Sequence, residues 1–566
     1  MACLLNYWSI VVPTKSANEL QAERWLVVVP VSTSDYARMH WVLFSRWQLF
    51  AVCFGTQVCC GSLYAFVVIS DALDVYFYGQ VTKQSYSIVL IFMGVTAALL
   101  GPMLERKRPR VGMAMATVLI TLGFVVSQLA VVVHSPILLT FGYSCLCGMG
   151  FGVAIIATIS SVQKWFPDLR GLASGFCLLG FGLGNGVCSL VYSRLLHRET
   201  IYDPTFQIDG VTNLFWSTGT VVVLMLITCT LVIRTPPISF SMNGQDIHCV
   251  PVNMAPDPRV IQDEYLKVGK HRMTLVNYSA VHHELEGTDG HYFQQVRAMT
   301  LLQCILSTDF IFLYIAFAAN VIPLLVFVPQ IVSLAAGMWH LPPSEVNKVL
   351  IQAFVGNTLG RFMAPLISDG LVRLLYVNPA LMRKLVFTAL LTIQICAFAL
   401  VISDWSSPRR VQWLASIVTF ASGGGLAMMP CFITDMFGVY HLGTMYGLIL
   451  TSYSLGGVVV GYATTTSSMQ VTLETLSQQS QAMLQLVLCG LLVMLFVRTN
   501  STDRFYRGYQ YSACGKVLLQ VAFRRPISET CVEDDSVVIL DEPTPPPMPR
   551  TFTLWNEDLD GAKYNI

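Results

Sequence analysis

Charge is what this chain has least of: 12% of its 566 residues are Asp, Glu, Lys or Arg, where an ordinary soluble domain carries about a quarter. So little charge cannot hold 54% hydrophobic residues and a mean hydropathy of +0.60 in water, which excludes a soluble enzyme. An excess of one sign is missing too. With 34 basic and 33 acidic residues the formal charge is +1, which fits neither an electrostatic nucleic-acid binder nor an acidic disordered chain. CxxC pairs are absent, and His271, His282, His283 and His291 lack the spacing of zinc ligands, so no metal or cofactor is expected. Most of the 16 cysteines lie within apolar runs and read as small core residues. No cleavable signal peptide is evident: the apolar stretch from Trp25 to Val31 is too brief to span a bilayer, so residues 1–45 read as a tail. The partner implied is lipid.

What the chain does have is long runs without charge, and about 20 apolar helical residues cross the hydrocarbon core of a membrane. The first half offers residues 47–70, 84–104, 111–163, 171–193 and 210–233. The second half offers 310–344, 349–369 interrupted by Arg361, 385–403, 411–434, 436–473 and 475–497. The run 111–163 is too long for one span, and His134-Ser135-Pro136 supplies a turn within it. The expectation is an all-α polytopic membrane protein of twelve transmembrane helices in two six-helix bundles, residues 46–234 and 301–498. Helices are favoured over a barrel because the runs show no ten-residue alternation.

Residues 235–300 read as a linker, and residues 499–566, with the run Glu542-Pro543-Thr544-Pro545-Pro546-Pro547, as a disordered tail. Loops on one side carry Arg106, Lys107, Arg108, Arg110, Lys164, Arg170, Arg373, Arg383 and Lys384, against Lys83, Arg194, Arg198, Lys348, Arg409 and Arg410 on the other. That bias places linker and tails in the cytosol. The plasma membrane is the default location, and an organellar membrane would require much the same spans. The halves also echo each other: Gly150-Phe151-Gly152 to Lys164-Trp165-Phe166 is matched by Gly423-Gly424-Gly425 to Asp435-Met436-Phe437. Such duplication suits a transporter with its site between two bundles.

The loop Gly101-Pro102-Met103-Leu104-Glu105-Arg106-Lys107-Arg108-Pro109-Arg110 places an acid four residues after a glycine and then a basic run, and Pro365-Leu366-Ile367-Ser368-Asp369 is its counterpart in the second half. These loops resemble the signature loops of the major facilitator superfamily. Lys164-Trp165-Phe166-Pro167-Asp168-Leu169-Arg170-Gly171-Leu172-Ala173-Ser174-Gly175, then Gly180-Phe181-Gly182-Leu183-Gly184, resembles the oxalate/formate antiporter and monocarboxylate transporter group within it. Arg46-Trp47, Gly61-Ser62-Leu63-Tyr64, Arg108-Pro109-Arg110 and Asn357-Thr358-Leu359-Gly360-Arg361 agree, so the resemblance spans residues 46–498. It implies a carrier of small carboxylates, and it suggests Glu105, Arg106 and Asp369 for charge contacts that close a gate.

Arg361 is the basic residue set deepest in an otherwise apolar span. A charge there is expensive unless something pairs with it, and a carboxylate substrate is one such partner. A guanidinium donates two parallel hydrogen bonds to a carboxylate and stays protonated at any relevant pH. The resemblance assigns an arginine at this place to carboxylate binding; the alternative is an acid on another helix. Asn357 lies one turn earlier on the same face. The monocarboxylate branch typically has aspartate there, so its proton site is missing, and the coupling species is either a proton held elsewhere or an exchanged anion. Residues 443–468 lack the second basic residue of the oxalate antiporter, which favours a monoanion such as pyruvate, lactate or formate. Tyr64, Gln57, Asn320 and Tyr453 are further candidates for lining the site, with interhelical hydrogen bonding as the alternative use. The expected function is secondary transport, not enzymatic. Other readings are a carrier of another anion or an amino acid, or a nontransporting membrane sensor of the same fold.

Overall fold

The computed structural model describes residues 7–8, 15–30, 36–79, 81–201, 208–237, 240–242, 245–249, 292–293, 296–297, 299–330, 334–335, 339–375, 377–402, 408–466, 473–504, 508–513 and 516–522. In hydrocarbon no water serves the backbone, so each apolar run satisfies its own N–H and C=O groups as a helix. The first six long helices are α1 (Arg46–Tyr76), α2 (Val81–Lys107), α3 (Pro109–Val133), α4 (Pro136–Trp165), α5 (Arg170–Leu195) and α6 (Leu214–Val232). The second six are α7 (Thr308–Phe327), α8 (Pro343–Leu375), α9 (Pro379–Ile402), α10 (Pro408–Phe437), α11 (Leu442–Thr466) and α12 (Leu473–Leu495). Among the described residues eleven of these are long and apolar enough to cross a membrane. The other, α8, has the length, 33 residues, but Asn347, Asn357, Arg361 and Asp369 dilute its apolar character. The molecule is an all-α, multi-pass integral membrane protein of two bundles.

Local chemistry sets the helix ends. His134 takes a left-handed conformation with φ 53° at the end of α3, and Pro136 opens α4 at the position where a missing N–H does no harm. The apolar run that begins at Phe310 does not continue as one helix: α7 stops at Phe327 and α8 starts at Pro343. Between bundles, α2 lies along α11 and α5 along α8. Close approach there depends on small residues: a β-carbon at Gly447 of α11 would overlap the backbone carbonyl of Ala97 on α2.

One end of the bundles carries the linker and both terminal segments, and we call it the linker face. Among the described residues, three antiparallel hairpins lie outside the bundles: β1 (Val28–Pro30) with β2 (Tyr36–Arg38), β3 (Ser241–Met242) with β4 (Gln245–Asp246), and β5 (Gly508–Ala513) with β6 (Lys516–Ala522). The short apolar stretch noted at Trp25 to Val31 thus contributes a strand, with Val28 buried. Arg234, at the exit of α6, fastens the N-terminal segment by donating to the carbonyls of Glu23, Trp25 and Leu26 at 2.6, 2.9 and 2.6 Å. Arg498 fastens the C-terminal segment through Asp309 at 2.8 Å, and the Tyr509 hydroxyl donates to the Phe496 carbonyl at 2.8 Å. The segment after α12 thus contributes a hairpin that reaches Ala522. The acidic and proline-rich stretches at 533–547 lie outside the described residues.

Candidate functional site

Arg361 projects from α8 into the contact with α5 and is 0% exposed. Its Nε donates to Asn357 Oδ1 at 2.9 Å, and its Nη1 crosses to the Leu178 carbonyl of α5 at 3.1 Å. Asn357 is itself oriented, because its Nδ2 donates to the Thr419 carbonyl of α10 at 3.1 Å and leaves the side-chain oxygen for Arg361. The Phe181 ring centre lies 4.8 Å from the guanidinium carbon, a cation–π contact. A β-carbon at position 182 would come within 3.1 Å of Arg361 Cδ, so Gly182 leaves the space the side chain occupies. The remaining nitrogen, Nη2, is buried with no hydrogen-bond partner. Among the described residues no carboxylate forms an ion pair with Arg361.

Three tyrosines surround this charge. Tyr64 of α1 and Tyr453 of α11 meet hydroxyl to hydroxyl at 3.1 Å, joining the bundles, and the Tyr64 ring lies 5.1 Å from Phe181. Tyr446 is within electrostatic range of Arg361, and its buried hydroxyl has no hydrogen-bond partner. A cleft on the side away from the linker face is lined by Tyr64, Tyr86, Asn185, Asn357 and Thr419. Its volume of about 20 Å³ is room for roughly one water. Arg361, Asn357, Tyr64 and Tyr453 thus converge. Gln57 and Asn320 are placed elsewhere: Gln57 donates to Thr158 at 2.7 Å within the first bundle, and Asn320 bonds Gln394 and the Ala421 carbonyl at 3.4 and 3.3 Å within the second. Phe181 and Tyr446 complete the cluster; Phe181 sits inside the Gly180-Phe181-Gly182 motif, where the glycine spacing draws the eye first.

The linker face is closed by buried charge. Glu105, at the end of α2, pairs with Lys164 of α4 and accepts from Ser160 at 2.9 Å. Across the bundles it also accepts the Gly443 N–H, in the first turn of α11, at 2.9 Å. Asp369, at the matching place on α8, pairs with Arg383 and accepts the Leu172 N–H, in the first turn of α5, at 2.7 Å. Each acid therefore faces the positive end of a helix in the opposite bundle. Asp435 ties the two sides together, bonded by Arg170 at 3.0 Å and by Arg383 at 3.4 Å. Arg106, by contrast, turns away from this interface and lines a cleft beneath the N-terminal segment. Lys164 and Asp435 occupy equivalent places in the two echoed motifs, so the internal repeat was the signal that could have found them.

The linker covers this layer. Arg170 Nη2 donates to the Ile247 carbonyl at 2.7 Å, and the His248 ring lies 4.7 Å from that of Tyr440. Burial, followed by the neighbouring cations Arg170 and Arg297, pushes the His248 pKa down to about 3, so it is held neutral.

The Major Facilitator Superfamily model matches residues 49–461. This chain belongs to the Major Facilitator Superfamily. It is 22% identical over 435 residues to the uncharacterized transporter YhjX of that superfamily from Escherichia coli, which covers 76% of this chain and 88% of the relative. It is 33% identical over 91 residues to the oxalate:formate antiporter of Oxalobacter formigenes, 16% of this chain and 19% of that one. Among solved folds, the proton:xylose symporter XylE superposes with a TM-score of 0.56 at 14% identity, covering 80% of this chain and 94% of that chain. The human organic anion transporter MFSD10 superposes with a TM-score of 0.52 at 11% identity, covering 80% and 100%. The protein is a membrane transporter of the superfamily, and the Arg361 cluster lies at the interface between its two bundles.

Proposed function

We propose that this transporter carries small monocarboxylates, such as pyruvate, lactate or formate, by rocking its bundles around Arg361. The observation that supports the reading is the unpaired Nη2 of a fully buried guanidinium. Leaving such a charge unpaired costs several kcal/mol, roughly 3–5 when a buried pair is broken, and an incoming carboxylate offsets it. The carboxylate would take Nη2 and the nearby Tyr446 hydroxyl, while Asn357 and Leu178 keep the guanidinium plane fixed. The short match to the oxalate:formate antiporter agrees in chemical class. A single fixed cation suits a monoanion better than a dianion.

Alternating access then couples the site to the gate. With the linker face closed by Glu105, Asp369 and Asp435, substrate would enter from the opposite side, where the small cleft beside Tyr64 and Asn357 would have to widen to reach Arg361. Asn357 cannot hold a proton, so the reading is exchange of one anion for another rather than proton symport.

The test is uptake of labelled pyruvate, lactate, formate and oxalate into proteoliposomes, with and without internal anion and with and without a pH gradient. Wild type should prefer the monoanions and respond to internal anion, and Arg361→Gln should lose uptake by about 100-fold, the worth of one or two charge-assisted hydrogen bonds. Normal transport of every acid by Arg361→Gln would overturn the site. Faster uptake of oxalate than of pyruvate would overturn the charge-count argument, and stimulation by a pH gradient alone would overturn the exchange reading.

A further inference from the structure

At the linker-face end of α3 lies a cleft of about 370 Å³, separate from the transport site. This volume is within the range of about 300–1,000 Å³ typical of small-ligand sites. Its walls are the α2–α3 loop, the N-terminal segment and the exit of α6 at Ile233–Thr235. Five cations line it, Arg106, Lys107, Arg108, Arg110 and Arg234, against two acids, Glu19 and Glu23. Both acids already hold a base within the protein: Glu19 pairs with Arg108, and Glu23 with Lys15 at 2.6 Å. With five cations against two acids, the lining of the cleft carries an excess of positive charge.

Arg110 is the cleft residue with unspent donors. Its Nε and Nη2 are both buried and have no hydrogen-bond partner. These two N–H groups lie along one edge of the guanidinium, the edge that receives two oxygens of one anion side by side. Arg110 is also the second residue of α3, a helix of 25 residues whose start, after Arg108 at φ 73°, has no side-chain cap. The partial positive charge of that helix end adds to the same place. An orphaned bidentate donor, an uncapped helix start and surplus cations are complementary to a tetrahedral oxyanion.

We propose that this cleft binds a phosphate-bearing anion, with Arg110 as its bidentate anchor and Lys107 as a further cation at the mouth. The ligand's phosphate could be carried by an anionic phospholipid headgroup reaching in where α3 and α6 leave the membrane, or by a soluble phosphate ester, and the test separates these sources. The site does not depend on the identity of the transported substrate.

The experiment is native mass spectrometry of the full-length protein from nanodiscs containing phosphatidylcholine with or without phosphatidic acid, repeated with added glycerol 3-phosphate or inorganic phosphate. Wild type should retain phosphatidic acid about tenfold over phosphatidylcholine, and Arg110→Gln should lose that preference. Arg110→Lys, which keeps the charge without the two-donor edge, should fall between them. If Arg110→Gln does not fold, the exposed-side variant Lys107→Gln carries the test and should weaken retention two- to threefold. Displacement by glycerol 3-phosphate or inorganic phosphate would identify a soluble ester as a competent ligand; persistence would identify the lipid headgroup. Equal retention of both lipids with no binding of either soluble phosphate by wild type would overturn the proposal, as would unchanged binding in both Arg110→Gln and Lys107→Gln.

Discussion

Arg361 and Arg383 are both arginines wholly inside the protein, 0% and 3% exposed, but they are satisfied in opposite ways. Arg383 pairs with Asp369, donates to Ser368 at 2.7 Å and reaches Asp435 at 3.4 Å. Arg361 has an amide, a backbone carbonyl and an aromatic face, and keeps one nitrogen bare. A buried charge with its counter-ion built in holds two pieces of structure together. A buried charge without one is open to a mobile counter-ion, and that difference is what the proposed division into gate and binding site rests on.

The largest test of this contrast is stability. Asp435→Asn removes the shared counter-ion of Arg170 and Arg383 and should destabilise the detergent-solubilised protein by about 3–5 kcal/mol, seen as a lowered melting temperature. Arg361→Met removes a charge with no counter-ion and leaves only the Asn357 and Leu178 acceptors unpaired, so its melting temperature should fall less than that of Asp435→Asn while transport disappears. Equal losses in the two variants would break the comparison.

Next is the gate. Glu105→Gln weakens both the Lys164 pair and the contact with the first turn of α11. It should shift the population toward a linker-face-open state by about ten- to a hundredfold, roughly 1.4–2.7 kcal/mol. Distances between spin labels at the linker-face ends of α5 and α8 would lengthen. Unchanged distances would mean that Glu105 holds no gate.

A smaller effect is expected from pH. The His248 pKa is depressed to about 3 in the docked linker by burial and by Arg170, Arg297, His441 and Lys164, while a free histidine titrates near 6.5. The undocked segment thus binds the proton more readily. Docking should be at full strength above about pH 6.5 and weaken as pH falls toward 3, up to about tenfold per unit. Proteolytic nicking of the linker should accelerate between pH 7 and 5 in wild type and lose that dependence in His248→Gln.

The smallest effect is at Tyr64. Tyr64→Phe removes one hydroxyl from the pair with Tyr453, worth about 0.5–1.5 kcal/mol, and should raise KM for pyruvate about two- to tenfold. A change confined to kcat would move Tyr64 from the site to the gating motion.

Much of this was legible because lipid imposes simple rules. Charge-free runs and the turn at His134 to Pro136 marked the helices, and the solitary Arg361 and its helical neighbour Asn357 stood out against them. Three features were not legible for physical reasons. Arg106 follows Glu105 directly, yet adjacent residues on a helix point about 100° apart, so the partner of Glu105 comes from another helix, at Lys164. Gln57 and Asn320 carry polar groups suited to a site, but which face they present depends on packing, and packing turned them into their own bundles. The terminal segments lack long apolar runs; they are anchored by polar contacts such as those of Arg234 and Arg498, which bond backbone and acid groups far away in sequence.

The most direct measurement is equilibrium binding of labelled pyruvate to purified wild type, Arg361→Gln and Arg383→Gln. The account predicts that Arg361→Gln loses binding by about 100-fold, whereas Arg383→Gln, altered only at the gate, binds within a few-fold of wild type. Retained binding in Arg361→Gln with loss in Arg383→Gln would contradict it.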